Sequence, residues 1–259
     1  PSSHFTKIFN MEVMSDVNEN LTSSQKELLL DHARLGHINM QHLQQLYRPR
    51  DIKCEFDGCT KAGSCLLPKS AGVPNCDPPL CLACQAAKAK RRPDESKQQK
   101  PREGHQHTLS TDQLTPGDRI HVDQYESAVR GRLPNTYGRE ASSSQYVGGT
   151  IFYDSASGLI KVYHQVSLGG ADTLASKRQF EAEAAQCGVN ISTYHCDNGI
   201  FTSKAWTDSL RAGDQAQQLS GVGAHHQNAH AERSIGTVTR SARAMLLHLQ
   251  IHWPDEYDT

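Results

Sequence analysis

The chain has 259 residues, enough for one large domain or two modest ones, and its 27 Lys and Arg against 28 Asp and Glu leave a formal net charge of −1. That balance excludes a uniformly basic nucleic-acid-binding coat but not a local basic patch. Apolar residues make up 36% of the chain, and none of its apolar runs has the length of a membrane span. The first residues, PSSHFTKIFN, show no charged-then-apolar export signal and no initiator Met, so a fragment or a processed piece of a polyprotein is expected.

Residues 1–20 are acidic and aperiodic and are expected to be disordered. TSSQKELLLDHARLGH reads as a capped helix, with Ser24 as N-cap, Glu27 completing a capping box and Gly36 as the stop. Asn39 caps a second helix, MQHLQQLY, which ends before Pro49. Residues 50–80 carry Cys, Gly and Pro without periodicity and read as loop. Residues 88–107 hold seven Lys and Arg against three acids, a solvated tether whose basic end suits a phosphate backbone. Beyond residue 117, RIHVDQYES, QYVGGTIFYD and LIKVYHQV alternate like strands. A helix follows from Gly170 to Cys187, then a strand in NISTYHCD, a helix around Trp206, a fifth strand over Ala216–Gly221 and a long helix from Ala229 to Gln250. This order predicts an α/β fold, a mixed five-stranded sheet with flanking helices. Trp206 and Trp253 read as packing residues, and Asp154 as a turn residue.

Of eight Cys, six lie between Cys54 and Cys84. Without an export signal such clustering favours metal ligation over disulfides. His32 and His37 form H-x4-H, and Cys81 and Cys84 form C-x2-C. Two imidazoles and two thiolates make a closed, structural zinc set. Five residues turn an α-helix by about 500°, roughly 140° off the same face, so His37 joins His32 most easily if the helix has ended, and Gly36 ends it. The alternative is a pair of surface histidines beside a redox-active CxxC. For Cys54, Cys59, Cys65 and Cys76 two readings stay open: a second zinc, or free thiols.

Asp123 follows one predicted strand, Asp197 ends another in HCDNG, and Glu232 lies one turn into the last helix in QNAHAERS. Three such carboxylates suit Mg²⁺ or Mn²⁺, with water and phosphate oxygens as the remaining ligands. Two ions about 3.5–4 Å apart clamp the attacking and leaving oxygens of an in-line phosphoryl transfer.

The chain resembles the integrase of copia-type LTR retrotransposons. HARLGH is similar to that family's H-x4-H, CLACQAAKAKRRP to its C-x2-C with following basic residues, and HVDQ, HCDNG and QNAHAER to the surroundings of its three catalytic acids. Between Asp197 and Glu232 lie 34 residues, near the family spacing of about 35. The resemblance runs from about residue 25 to 250. It implies a helical zinc-binding domain over 21–92, a basic linker over 93–116 and a ribonuclease-H-like catalytic core over 117–259, truncated at its C-terminus. It implies that Asp123, Asp197 and Glu232 bind two Mg²⁺ or Mn²⁺ ions, and that His32, His37, Cys81 and Cys84 bind one Zn²⁺. The implied activity joins 3′-OH ends of element cDNA to target DNA by transesterification. The implied enzyme is a homo-oligomer acting on double-stranded DNA in the nucleus, after a cytoplasmic particle stage, with no membrane partner.

Departures from the family are a 43-residue gap between His37 and Cys81, and His225, Ala229 and His230 where the family has Pro, Gly and an apolar residue. Arg233, Arg240 and Arg243 on the last helix, with Asn198 and Gln227, are the candidate DNA contacts. The competing reading is a catalytically decayed integrase fragment that binds only zinc and nucleic acid.

Overall fold

A computed structural model describes residues 18–48, 72–88, 114–131, 145–221 and 228–252. They belong to two compact units, one formed by residues 1–98 with 238–259 and the other by residues 99–237.

In the first unit, α1 spans Ser23–Arg34 and α2 spans Met40–Tyr47. The N-cap of α1 is Thr22 rather than Ser24. Thr22 accepts from Gln25 N and the Gln25 side chain reaches back to Thr22 N, a complete capping box two residues earlier than expected. Gln25 also donates to Asp77 O at 3.1 Å, a long-range bond that favours this register. Asn39 caps α2 as read from the sequence, accepting from Gln41 N and His42 N. A single 3-10 turn at Val73–Asn75 and the short helix α3, Leu82–Lys88, complete the connection. Gln44 ties α2 to that turn through Val73 O and Cys76 O. Two small apolar clusters result. One holds Leu28, Leu43, Tyr47 and Val73. The other holds Leu29, Cys81 and Ala83, with Leu247 packed against it.

The second unit is built on β1 (Ile120–Gly131), β2 (Tyr146–Asp154), β3 (Ile160–Gln165), β4 (Thr193–Cys196) and β5 (Ala216–Leu219). Helix α4 (Gly170–Gln186) precedes β4, and α5 (Lys204–Ala212) precedes β5. The sheet order is β3-β2-β1-β4-β5. β1, β2 and β3 pair antiparallel, while β4 is parallel to β1 and β5 to β4. Parallel neighbours need crossover helices, and α4 and α5 serve as these. This order with these directions is the ribonuclease-H-like arrangement, a mixed five-stranded sheet with flanking helices. In β2 the Gly148–Gly149 pair is dictated by close packing, because a Cβ would lie 2.1 Å from Tyr125 O at Gly148 and 2.2 Å from Tyr163 O at Gly149.

Alternation along the strands sends Ile120 and Val122 of β1, with Tyr194 and Cys196 of β4, into a core shared with Phe152, Phe180, Phe201, Trp206 and Leu210. Phe152 and Phe180 stack at 4.6 Å. Helix α4 buries Thr173, Ser176, Lys177 and Phe180, spaced as one helical face. The Lys177 Nζ is 2.8 Å from Glu181 Oε1, which also accepts from Tyr194 OH and Gln215 Nε2, so the buried charge is paired. The last helix, α6 (Ala229–His252), starts in this unit, and its residues from Val238 onward belong to the first. No helix among the described residues is long and apolar enough to cross a membrane.

Candidate functional site

α1 ends in a Schellman motif, with Gly36 N donating to Ala33 O and His37 N donating to His32 O at 2.8 Å. Gly36 (φ +71°) and His37 (φ +59°) are both left-handed. The chain therefore doubles back, and the bond from His37 N to His32 O brings the two histidines together, which five further helical residues would not do. Cys81 immediately precedes α3 and Cys84 lies in its first turn, three residues on, so both thiols share one side.

The four ligand atoms lie within 4.8 Å of one another. His37 Nδ1 is 3.1 Å from His32 Nε2, 3.5 Å from Cys81 Sγ and 3.6 Å from Cys84 Sγ, and Cys84 Sγ is 3.2 Å from His32 Nε2. With Zn–N near 2.05 Å and Zn–S near 2.3 Å, the edges of a tetrahedron measure roughly 3.3 Å between nitrogens and roughly 3.6 Å between nitrogen and sulfur. These four separations are near those of a zinc tetrahedron, and the quartet as a whole, within 4.8 Å, is close enough to hold one ion. His32 Nδ1 donates to Ile38 O at 2.6 Å, which leaves Nε2 as the ligand nitrogen. The neighbouring Cys84 thiol, and then burial, hold the Cys81 thiol above its ordinary range, and a metal ion overrides this by binding the thiolate. Cys76 is a half-buried free thiol outside this group. Cys54, Cys59 and Cys65 lie outside the described residues.

In the second unit, β1 and β4 run side by side with Val122 opposite Cys196. Asp123 and Asp197 are the next residues on each chain, on the sheet face opposite the apolar core. Each acid accepts from the backbone N–H of the residue after it: Asp123 Oδ1 from Gln124 at 2.8 Å, Asp197 Oδ1 from Asn198 at 2.7 Å. Both charges act on the Cys196 thiol, which burial first, and then these two carboxylates, push up to about 11. Glu232 is exposed in the first turn of α6. Asn228, just before that helix, is buried and donates to Val122 O at 3.1 Å, which fixes the helix start beside the residue preceding Asp123. The three carboxylates do not form a second close ligand group among the described residues.

A layer of imidazoles accompanies the acids. His121, His195 and His230 each stand two residues before one of them, in HVD, HCD and HAE. His121 is paired in register with His195, and its ring lies 4.8 Å from those of both His195 and His230. Tyr153 stacks on His230 at 5.5 Å. In the sequence His230 stands out only as a departure from an apolar position; the repeated His two residues before an acid is the available signal. Burial, then the neighbouring imidazoles, pull His121 down from 6.5 to about 3. Burial also lowers His195 and His230. These rings are neutral in the fold, whereas the unfolded chain takes up protons below about pH 6.5. Their contribution to stability is therefore complete above pH 6.5 and is lost as the pH falls towards 3. Urea titrations at pH 7 and pH 5 are expected to differ by about 1–2 kcal/mol through His121 alone. His121→Gln should flatten that dependence, and an unchanged slope in this variant would refute the assignment.

Of the candidate DNA contacts, Arg233 is exposed with Nε donating to Ala229 O, Arg240 is half-buried and Arg243 is exposed. Asn198 donates its side-chain amide to Ser220 O at 2.8 Å. Gln227 lies outside the described residues. Asp154 is buried and accepts from Ala156 N, Ser157 N and Ser157 Oγ, a turn residue as expected.

No family model and no curated protein matches the chain. Among solved structures it is similar to the HTLV-2 integrase catalytic core domain in complex with magnesium. For the dimeric form the identity is 15% over 55% of this chain and 79% of that one, with a TM-score of 0.37. For the trimeric form the identity is 15% over 56% and 80%, with a TM-score of 0.37. It is also similar to the simian T-cell lymphotropic virus intasome in complex with a PP2A regulatory subunit, at 16% identity over 55% of this chain and 44% of that one, with a TM-score of 0.40.

Proposed function

We propose that the chain is a retroelement integrase of the copia type, a polynucleotidyl transferase that joins 3′-OH ends of element cDNA to target DNA. The observation that carries this reading is the placement of Asp123 and Asp197 directly after the paired residues Val122 and Cys196 of neighbouring parallel strands in a ribonuclease-H-like sheet, with Glu232 on the helix whose start Asn228 anchors to β1. In each aspartate one oxygen is turned to a backbone N–H, which fixes the carboxylate plane. Asp123, Asp197 and Glu232 are the residues that would hold two Mg²⁺ or Mn²⁺ ions. Such ions activate the attacking 3′-OH and stabilise the leaving oxygen in a direct transesterification. The neutral histidines two residues before the acids add no positive charge to compete for the carboxylates. His32, His37, Cys81 and Cys84 would hold a structural Zn²⁺. Arg233, Arg240 and Arg243 would contact DNA phosphates, and Asn198 and Gln227 would help position the DNA. The protein would act as a homo-oligomer on double-stranded DNA in the nucleus, after assembly in a cytoplasmic particle.

A disintegration assay on branched DNA with Mn²⁺, comparing the wild-type chain with Glu232→Gln, tests this. Joining by the wild type and none by the variant is the expected result. Absence of joining by the wild type, with zinc bound and the fold intact by circular dichroism, would overturn the transferase reading and leave a zinc- and nucleic-acid-binding module.

A further inference from the structure

The zinc quartet has a neighbour that neither the H-x4-H nor the C-x2-C spacing announces. Residues of α6 beyond Val238 belong to the same unit as the quartet, and they meet it at three separate places. The His248 ring lies edge-on to the His37 ring at 5.0 Å. Leu247 packs against the cluster of Leu29, Cys81 and Ala83, which contains one ligand and the residue between the two thiols that lies next in sequence but one to it. Met245 Sδ stands 3.4 Å from where a Cβ on Gly36 would be, at the left-handed residue that turns the chain back to His37. Ala244, three residues after Ser241 and four before His248, is buried on the same side of the helix as His248.

The orientation of His37 gives this contact a chemical meaning. His37 turns Nδ1 towards the other three ligand atoms, so Nε2 is the nitrogen left for an outer partner. His32 has such a partner in Ile38 O. Metal-bound imidazoles are held in tautomer and orientation by a bond from the second nitrogen. We propose that the 244–248 segment of α6 is a wall of the zinc module, with His248 the outer-sphere partner of His37, so that zinc loading and docking of this segment are one event. This rests on the reading of the quartet as a zinc site. Because binding and docking share a free energy, metal orders the segment and the segment raises metal affinity by the same factor.

The test uses the full chain. Hydrogen exchange by mass spectrometry is measured over residues 240–250, with zinc bound and after chelation, with the metal content assayed in parallel. Zinc affinity is measured for the wild type, His248→Ala and His248→Gln by competition with a chromogenic chelator, and the Co²⁺-substituted absorption spectrum is recorded for each. Chelation is expected to speed exchange in the segment at least tenfold. His248→Ala is expected to weaken zinc about tenfold and shift the Co²⁺ bands, with partial rescue by Gln. A wild-type chain that takes up no zinc would overturn both the zinc reading and this proposal. One that binds zinc while the segment's exchange is indifferent to it would overturn the docking proposal alone. Exchange that responds, with unchanged affinity and spectrum in His248→Ala, would overturn the role given to His248.

Discussion

Removing zinc, or replacing Cys81 by Ser, is expected to unfold the helical unit while the five-stranded sheet stays protected. The reason is the size of the core. Among the described residues its two apolar clusters hold four and three buried residues, and a core of that scale rarely sustains a fold unaided. Binding free energies of structural zinc in small modules are about 10–16 kcal/mol near neutral pH, and in such modules that energy is folding energy. The His37 backbone adds to the need for metal, since φ +59° at a non-glycine residue is a costly conformation. The measurement is residue-level hydrogen exchange with and without chelator. Loss of protection in α1, α2 and α3, with β1 and β2 unchanged, is the expected pattern. A Cys81→Ser chain that keeps α1 protected would show that the apolar clusters suffice and that the quartet is not the keystone.

How much of this was legible in the sequence depends on where the deciding contacts lie. β1, β2 and β3 are legible from the alternation of apolar and polar residue types, although burial itself does not alternate: β1 buries Ile120, His121 and Val122 in a row, and β2 buries Gly148 through Phe152. The α4 stripe was less distinct, since its buried face is Thr173, Ser176, Lys177 and Phe180. Lys177 reads as surface, with Glu181 as its local i,i+4 partner on the same helix, until the rings of Tyr194 and Trp206 are seen around it. The N-cap of α1 was misplaced for a similar reason. TSSQKE offers three hydroxyls in a row, and the choice of Thr22 is reinforced by the bond from Gln25 to Asp77, 52 residues away. The clustering of His32, His37, Cys81 and Cys84 is legible because the spacing within each pair is short and chemical, even though 43 residues separate the two halves. What the spacing does not reveal is the segment of α6 packed beside His37, or the mutual packing of His121, His195 and His230. Both consist of residues whose meaning depends on partners distant in the chain.

Neutralising Asp197 by Asn is expected to reduce DNA joining by roughly 10³-fold or more without loss of thermal stability. If the acid holds a divalent ion at the reacting oxygens, its charge supplies several kcal/mol of transition-state stabilisation, and each 1.36 kcal/mol is a factor of ten. Without a metal the charge brings no such gain, since Asp197 and Asp123 directly follow the paired residues Cys196 and Val122, and neutralising one removes a like charge from the neighbourhood of the other. Asn keeps an oxygen to accept from Asn198 N, so the local bond survives. The melting temperature should therefore hold or rise slightly. Asp154 provides the opposite case in the same sheet. It is buried and its oxygens accept from two backbone N–H groups and one hydroxyl. Asp154→Ala leaves those donors without their acceptor and should cost about 1–3 kcal/mol, with joining per folded molecule nearly unchanged. Measured side by side, the two variants separate a chemical role from a structural one. Substantial joining by Asp197→Asn, or a large fall in its melting temperature, would move Asp197 into the class that Asp154 represents.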